Sequence, residues 1–156
     1  MARCEGRCDS GRVKLFLYYI GKAKDPHANA LAADYMQRAG RYAPCQMLEL
    51  KPADLKSGRV DLWSKHPNAK KILLDPAGRS LDSGAFADLF AKGEMLGQDL
   101  VFVVGGHDGL PPAWRERADL LVSLSAMTMP HELARAVVAE QIYRAFTMLR
   151  GHPYPR

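Results

Sequence analysis

The sequence predicts an α/β domain, a mostly parallel sheet flanked by helices. Short runs of branched and aromatic residues recur along the chain, and most of them stop directly at a glycine, aspartate or serine. The segments between several of these runs carry helical spacing instead of alternation. Strands that alternate with helices pair in parallel and are covered on both faces, which is why the runs are almost continuously apolar.

Val13 to Ile20 reads as the first strand, stopped by Gly21. Asp25-Pro26 supplies a helix cap followed by proline at the first helical position, and the alanine-rich run through Arg38 continues that helix to Gly40. Gln46 to Leu50 is a short second strand, and the irregular stretch from Pro52 to Asn68 holds one short helix around Val60 to Lys65. Lys71 to Leu74 is the third strand, ending in a turn at Asp75-Pro76-Ala77-Gly78. Ser83 caps a helix from Gly84 to about Lys92, with Phe86, Leu89 and Phe90 on one face. Gly97 releases the chain into the strand Leu100 to Val104, which breaks at Gly105-Gly106.

Pro111-Pro112 opens a short helix, Ala113 to Ala118, and Leu120 to Leu124 follows as a further strand. With Thr128 or Met129 as cap and Pro130 in the first turn, the last helix runs to about Leu149, before Gly151 and Pro153. Ala134, Val138, Ile142, Ala145, Phe146 and Leu149 form its apolar stripe, and Glu140 and Arg144 an i, i+4 surface ion pair.

The length of 156 residues suits one domain, expected over 13–156 behind a disordered leader at 1–12. No apolar run approaches the roughly 20 residues that span a bilayer, and MARCEGRCDSGR lacks the apolar stretch of a secretory signal. No membrane partner and a cytoplasmic location are expected. Cys4, Cys8 and Cys45 lack the second ligand pair that a zinc site needs, so they read as reduced thiols and no metal is expected. A net charge of +5, with basic residues at Arg38, Arg41, Lys70, Lys71, Arg144, Arg150 and Arg156, favours a polyanionic partner without requiring one.

Chemistry concentrates in the last third. The strand ends at Gly105-Gly106 and at Ser125-Ala126-Met127-Thr128-Met129-Pro130 offer main-chain groups and small or hydroxyl side chains beside an apolar floor. That combination suits a flat, uncharged heterocycle, as in a nucleoside cofactor. A dinucleotide loop fits poorly, because GGHDG is not GxGxxG, Pro111-Pro112 delays the helix, and the next strand does not end in an acidic residue.

The segments VFVVGGHDGL, LLVSLSAMTMPHELARAVVAEQIYRAF and the tail GHPYPR resemble the SPOUT methyltransferases. Within them the match is to the family that methylates N3 of a pseudouridine in large-subunit (23S) ribosomal RNA. It extends upstream through KILLDPAGRSLDSGAFADLF and, more loosely, YMQRAGRY and QMLELKP. The resemblance implies a SPOUT-type fold with a C-terminal trefoil knot and a homodimer in which one subunit's tail reaches the other's pocket. The implied substrate is 23S rRNA in the ribosome or large subunit. S-adenosyl-L-methionine is the implied cofactor, held by Leu74 with Asp75, Gly105 with Gly106, and Ser125, Ala126, Met127, Thr128, Met129 and Pro130. Leu74, Met127 and Met129 would wall the adenine and thioether.

Transfer to an imide nitrogen needs alignment of nucleophile, carbon and sulfur, and removal of the nitrogen's proton. The catalytic candidates are His131, Arg135 and Tyr154. His131 is a proton acceptor or a group that orients the base, and Arg135 stabilises the developing imidate or binds phosphate. Tyr154 stacks on a base or hydrogen-bonds it, and Arg144 and Arg156 are the candidate RNA-binding cations. His107-Asp108 and Pro155 depart from the family, whose tail usually reads HPYHR. Those departures keep open a non-catalytic ribosome- or RNA-binding protein with the same fold; a dinucleotide-dependent oxidoreductase is the fainter alternative.

Overall fold

The structure, a computed structural model, describes residues 13–155. The expected leader, with Cys4 and Cys8, and Arg156 lie outside the described residues. The strands are β1 (Leu15–Ile20), β2 (Cys45–Leu50), β3 (Lys70–Ser80), β4 (Leu100–Val104) and β5 (Leu120–Ser123). They form one sheet in the order β2-β1-β4-β3-β5, and every pairing is parallel. The helices are α1 (Pro26–Ala39), α2 (Pro52–Lys56), α3 (Leu62–Lys65), α4 (Ser83–Leu96), α5 (Pro112–Arg117) and α6 (His131–Leu149).

Both faces of the sheet are covered, as continuous apolar runs require. Along β4 the side chains of Leu100, Phe102 and Val104 enter one core with α1, α4 and α6, while Val101 and Val103 enter a second under α3 and α5. The first core is aromatic at its centre, where Phe90 lies 5.7 Å from Phe102 and meets Phe146 edge-on at 5.1 Å. Because all strands run in parallel, the carboxyl ends of β1, β3, β4 and β5 share one edge, the usual place for a ligand crevice in such sheets.

The differences from the sequence expectation are local and have causes. The Asp75–Gly78 stretch is not a terminal turn: β3 leaves β5 after Leu74 and returns at Arg79, so that both residues register with Val122. At Gly78 an added Cβ would lie 2.6 Å from the Leu121 carbonyl carbon and the Val122 nitrogen, so the excursion presses its backbone onto β5. Asp82, not Ser83, caps α4, its carboxylate accepting from the Ala85 N–H at 2.7 Å. Ser83 Oγ instead donates to Gln141 Oε1 on α6 at 2.7 Å, and α4 continues past Lys92 to Leu96. The irregular stretch holds two helices, α2 and α3, where one was expected, because Pro52 starts a turn of its own. Pro130 takes the cap position of α6 in place of Thr128 or Met129.

Candidate functional site

A cavity of about 290 Å³ opens at the carboxyl ends of β3, β4 and β5. Leu74 and Asp75, Gly105 and Gly106, and Ser125 through Met129 all line it, so the three loops named from the sequence do converge. Pro130 does not line it and serves as the start of α6. Leu74, Val104, Val122 and Met129 supply apolar walls.

Each loop has a local reason for its shape. Asp75 Oδ1 accepts from the Ala77 N–H at 2.8 Å, and Arg115 Nε lies 2.7 Å from Asp75 Oδ2, which balances the carboxylate's charge. Gly106 O accepts from the Gly109 N–H at 3.0 Å, closing a turn that leaves His107 and Asp108 exposed at its tip. A Cβ on Gly106 would lie 2.6 Å from the Ile20 carbonyl oxygen, so the glycine is needed to seat β4's loop against the end of β1. The close approach read from the sequence as room for a cofactor is therefore first a backbone contact. Ser123 Oγ donates to Ser125 O at 3.0 Å and Ser125 Oγ accepts from the Met127 N–H at 3.0 Å, folding the third loop back on itself.

Among the described residues no lysine or arginine lines this cavity. A flat, uncharged heterocycle meets apolar walls, hydroxyls and main-chain groups there. These groups fit the adenosine of S-adenosylmethionine.

A second, larger cavity of about 710 Å³ adjoins the first and shares with it Gly106, His107, Gly109, Leu110 and His131. Its rim carries Lys22, Lys24 and Lys56. The lysines sit in loop and short-helix segments that look like ordinary solvated surface in the sequence, so nothing local pointed to their grouping.

His131, exposed at the first position of α6, stands where the cavities meet. Arg135, one helical turn after His131 and so expected beside it at the mouth of the pocket, does not lie there. It is 1% exposed, with its guanidinium carbon 4.0 Å from the centre of the Tyr19 ring. Its Nε and Nη2 have no hydrogen-bond partner, and Glu132 Oε1 lies 3.9 Å from Nη2. With His131, Gly21 and Gly105 it bounds a small gap between β1 and β4.

Sequence reasoning missed Glu132. Its Oε1 accepts from the Lys24 N–H at 2.6 Å and the Asp25 N–H at 3.0 Å, tying the loop after β1 to the first turn of α6. The hydrogen bonds from Asp25 and Lys24 hold its carboxyl below the usual range. The two partners lie more than a hundred positions away, so no sequence spacing announces them.

Tyr154 and Arg144 are not brought to the cavity within one chain. Arg144 lies 13 residues beyond His131 on α6, about 20 Å along a helix axis. It donates to Glu140 Oε1 through Nε at 3.0 Å and Nη2 at 2.7 Å, confirming the i, i+4 pair, and through Nη1 to Pro155 O at 2.6 Å. Its guanidinium carbon is 5.0 Å from the Tyr154 ring centre. The Tyr154 hydroxyl lies 3.2 Å from both Tyr35 Oη and Glu140 Oε1, and burial together with the Tyr35 hydrogen bond raises its pKa. Tyr143 is buried in this cluster, edge-on to Tyr154 at 4.6 Å.

A parallel sheet with a cleft at the carboxyl ends of its strands, and a second cleft sharing one wall, is the architecture of an α/β ligand-binding protein. A family model described as "Predicted SPOUT methyltransferase" matches residues 13–155, and the chain belongs to the SPOUT methyltransferase family. It is 67% identical over 144 residues to the Ribosomal RNA large subunit methyltransferase H of Solibacter usitatus, covering 92% of this chain and 100% of the relative. The protein of the same name from Cereibacter sphaeroides strain ATCC 17029 is 42% identical over 156 residues, covering 92% and 99%. A probable methylase family protein from Haemophilus influenzae shares the fold at a TM-score of 0.62 and 11% identity, over 92% of this chain and 71% of that one.

Proposed function

We propose that this protein methylates N3 of a pseudouridine in 23S ribosomal RNA of the large subunit, using S-adenosylmethionine. The observation that carries the reading is the 67% identity to a Ribosomal RNA large subunit methyltransferase H over 92% of the chain. The meeting of the two cavities at His131, one fitted to a nucleoside and the other free for an acceptor, agrees with it. When bound, the cofactor supplies an electrophilic methyl carbon on a sulfonium whose leaving group is neutral.

The chain's own residues align the acceptor and handle its proton. His131 stands at the junction, in reach of both ligands, and takes the N3 proton or orients the base. Arg135, buried behind Gly21 and Gly105 on the Tyr19 ring, adds positive potential beneath the place where the imidate's charge develops. Leu74 and Met129 wall the heterocycle, and the backbone at Gly105-Gly106 and Ser125–Met129 reads its edge.

The Arg144–Tyr154 cluster lies at the other end of α6, so Tyr154 serves transfer from a partner subunit's tail in a homodimer. The SPOUT trefoil knot belongs to the same reading, and the family match over residues 13–155 is what supports it. The acceptor is RNA within the large subunit or ribosome, in the cytoplasm.

Isothermal titration of the purified protein with S-adenosylmethionine and with NAD tests the pocket: the first binds and the second does not, and the reverse result overturns the assignment. For the RNA step, nuclease fragments of 23S rRNA from deletion and complemented strains are compared by mass spectrometry. The deletion strain lacks one N3-methylpseudouridine; an unchanged pattern points to a binding module.

A further inference from the structure

The methyl donor occupies the smaller cavity, so the acceptor needs space of its own on the other side of His131. The larger cavity, of about 710 Å³, is that space, and it differs in chemistry from its neighbour. Its floor includes Leu55, Leu110 and Pro111, apolar surface against which the face of a base can lie. Its rim carries the exposed Lys22, Lys24 and Lys56, none of which lines the cofactor cavity. The carboxylates on the same wall are Asp108 and Glu132, and Glu132 is engaged by the Lys24 and Asp25 N–H groups. That engagement also holds the loop bearing Lys22 and Lys24 against α6.

From this geometry we infer that the larger cavity receives the target nucleotide with the phosphates flanking it, and that Lys22, Lys24 and Lys56 are its phosphate ligands. The inference rests on the proposed function and gives its acceptor a place. Three lysines from two separate segments, grouped only by the fold around an apolar floor, match a nucleotide turned out of its strand: the base enters and the backbone stays at the rim.

The test uses full-length protein and ribosomes from a strain that lacks it. Lys22→Gln, Lys56→Gln and the double variant are compared with the parent for S-adenosylmethionine binding, melting temperature, and KM for ribosomes at several potassium chloride concentrations. Lys92→Gln, on α4, is the control. We expect cofactor affinity and melting temperature to match the parent, and KM for ribosomes to rise about tenfold in the double variant. The slope of log affinity against log salt should shrink by about 0.7 per lysine removed. Parental KM and salt slope in the double variant overturn the inference while leaving the methyltransferase reading intact. A parent that binds S-adenosylmethionine but does not methylate these ribosomes overturns that reading instead.

Discussion

At the scale of single residues, Arg135 shows the opposition between stability and use. A guanidinium at 1% exposure, with two nitrogens lacking hydrogen-bond partners and only a ring face and a carboxylate 3.9 Å away, is costly to bury. Arg135→Met keeps most of the volume and removes the charge. It is expected to melt no lower than the parent and to transfer methyl groups at least tenfold more slowly, with cofactor affinity retained; parental turnover would show that the cation plays no part in transfer. Glu132 gives a prediction in pH. Its pKa is lowered in the fold by two backbone hydrogen bonds, with Arg135 and His131 adding attraction, so its contribution to stability is present above the unfolded carboxyl value near 4.5 and is lost as pH falls through the lowered value. Melting curves from neutral pH downward are expected to lose part of their acid slope in Glu132→Gln. An unaltered acid slope would mean that the tie to the loop after β1 does not contribute.

At the scale of elements, the contact between β3 and β5 governs the site. The excursion after Leu74 positions Asp75 in one cavity-lining loop, and β5 leads directly into another, Ser125–Met129. Gly78 allows the two backbones to touch. Gly78→Ala would place a Cβ 2.6 Å from the Leu121 carbonyl carbon, and backbone on both sides cannot yield as a flexible side chain would. We expect a loss of about 3 kcal/mol in urea unfolding, at the upper end of ordinary overpacking, together with weaker S-adenosylmethionine binding as the two loops are forced apart. Gly106→Ala meets the Ile20 carbonyl oxygen at 2.6 Å and should likewise lose stability as well as cofactor binding. Binding lost with an unchanged unfolding midpoint would show that Gly106 serves the cofactor alone.

At the scale of the whole molecule, α6 separates two groups of residues that the sequence reading places in one reaction. His131 and Arg135 stand at its amino end beside the cavities, and Arg144 and Tyr154 are joined at its carboxyl end. If the tail acts across a dimer, co-expressed Arg135→Met and Tyr154→Ala chains form mixed dimers with one complete site, and methyl transfer returns although each variant alone is slow. If Tyr154 acts only within its own chain, no mixed dimer contains a complete site and nothing is recovered. Native mass spectrometry of the mixture, which separates the two homodimers from the mixed dimer by mass, establishes that mixed dimers are present in either case.

The sequence by itself determined what depends on neighbours along the chain. The alternation of apolar runs with helical segments predicted the parallel α/β class, Asp25-Pro26 placed the start of α1, and α6 ends at Leu149 as its stop signals indicate. The loops after β4 and β5 were recognisable as cleft-lining because glycines, hydroxyls and methionines follow buried strands directly, whereas the loop after β3 was named only through the family resemblance. Tertiary structure alone decided the rest, since it depends on the strand order β2-β1-β4-β3-β5, which no local spacing encodes. That order sets Tyr19 over Arg135, so that a residue read as a contact for the imidate or for phosphate is a buried cation. It brings Lys24 and Asp25 to Glu132 and sets Lys22, Lys24 and Lys56 around one cavity. Helical periodicity could place His131 and Arg135 a turn apart, but how deeply each is buried is settled by the strands packed beneath α6.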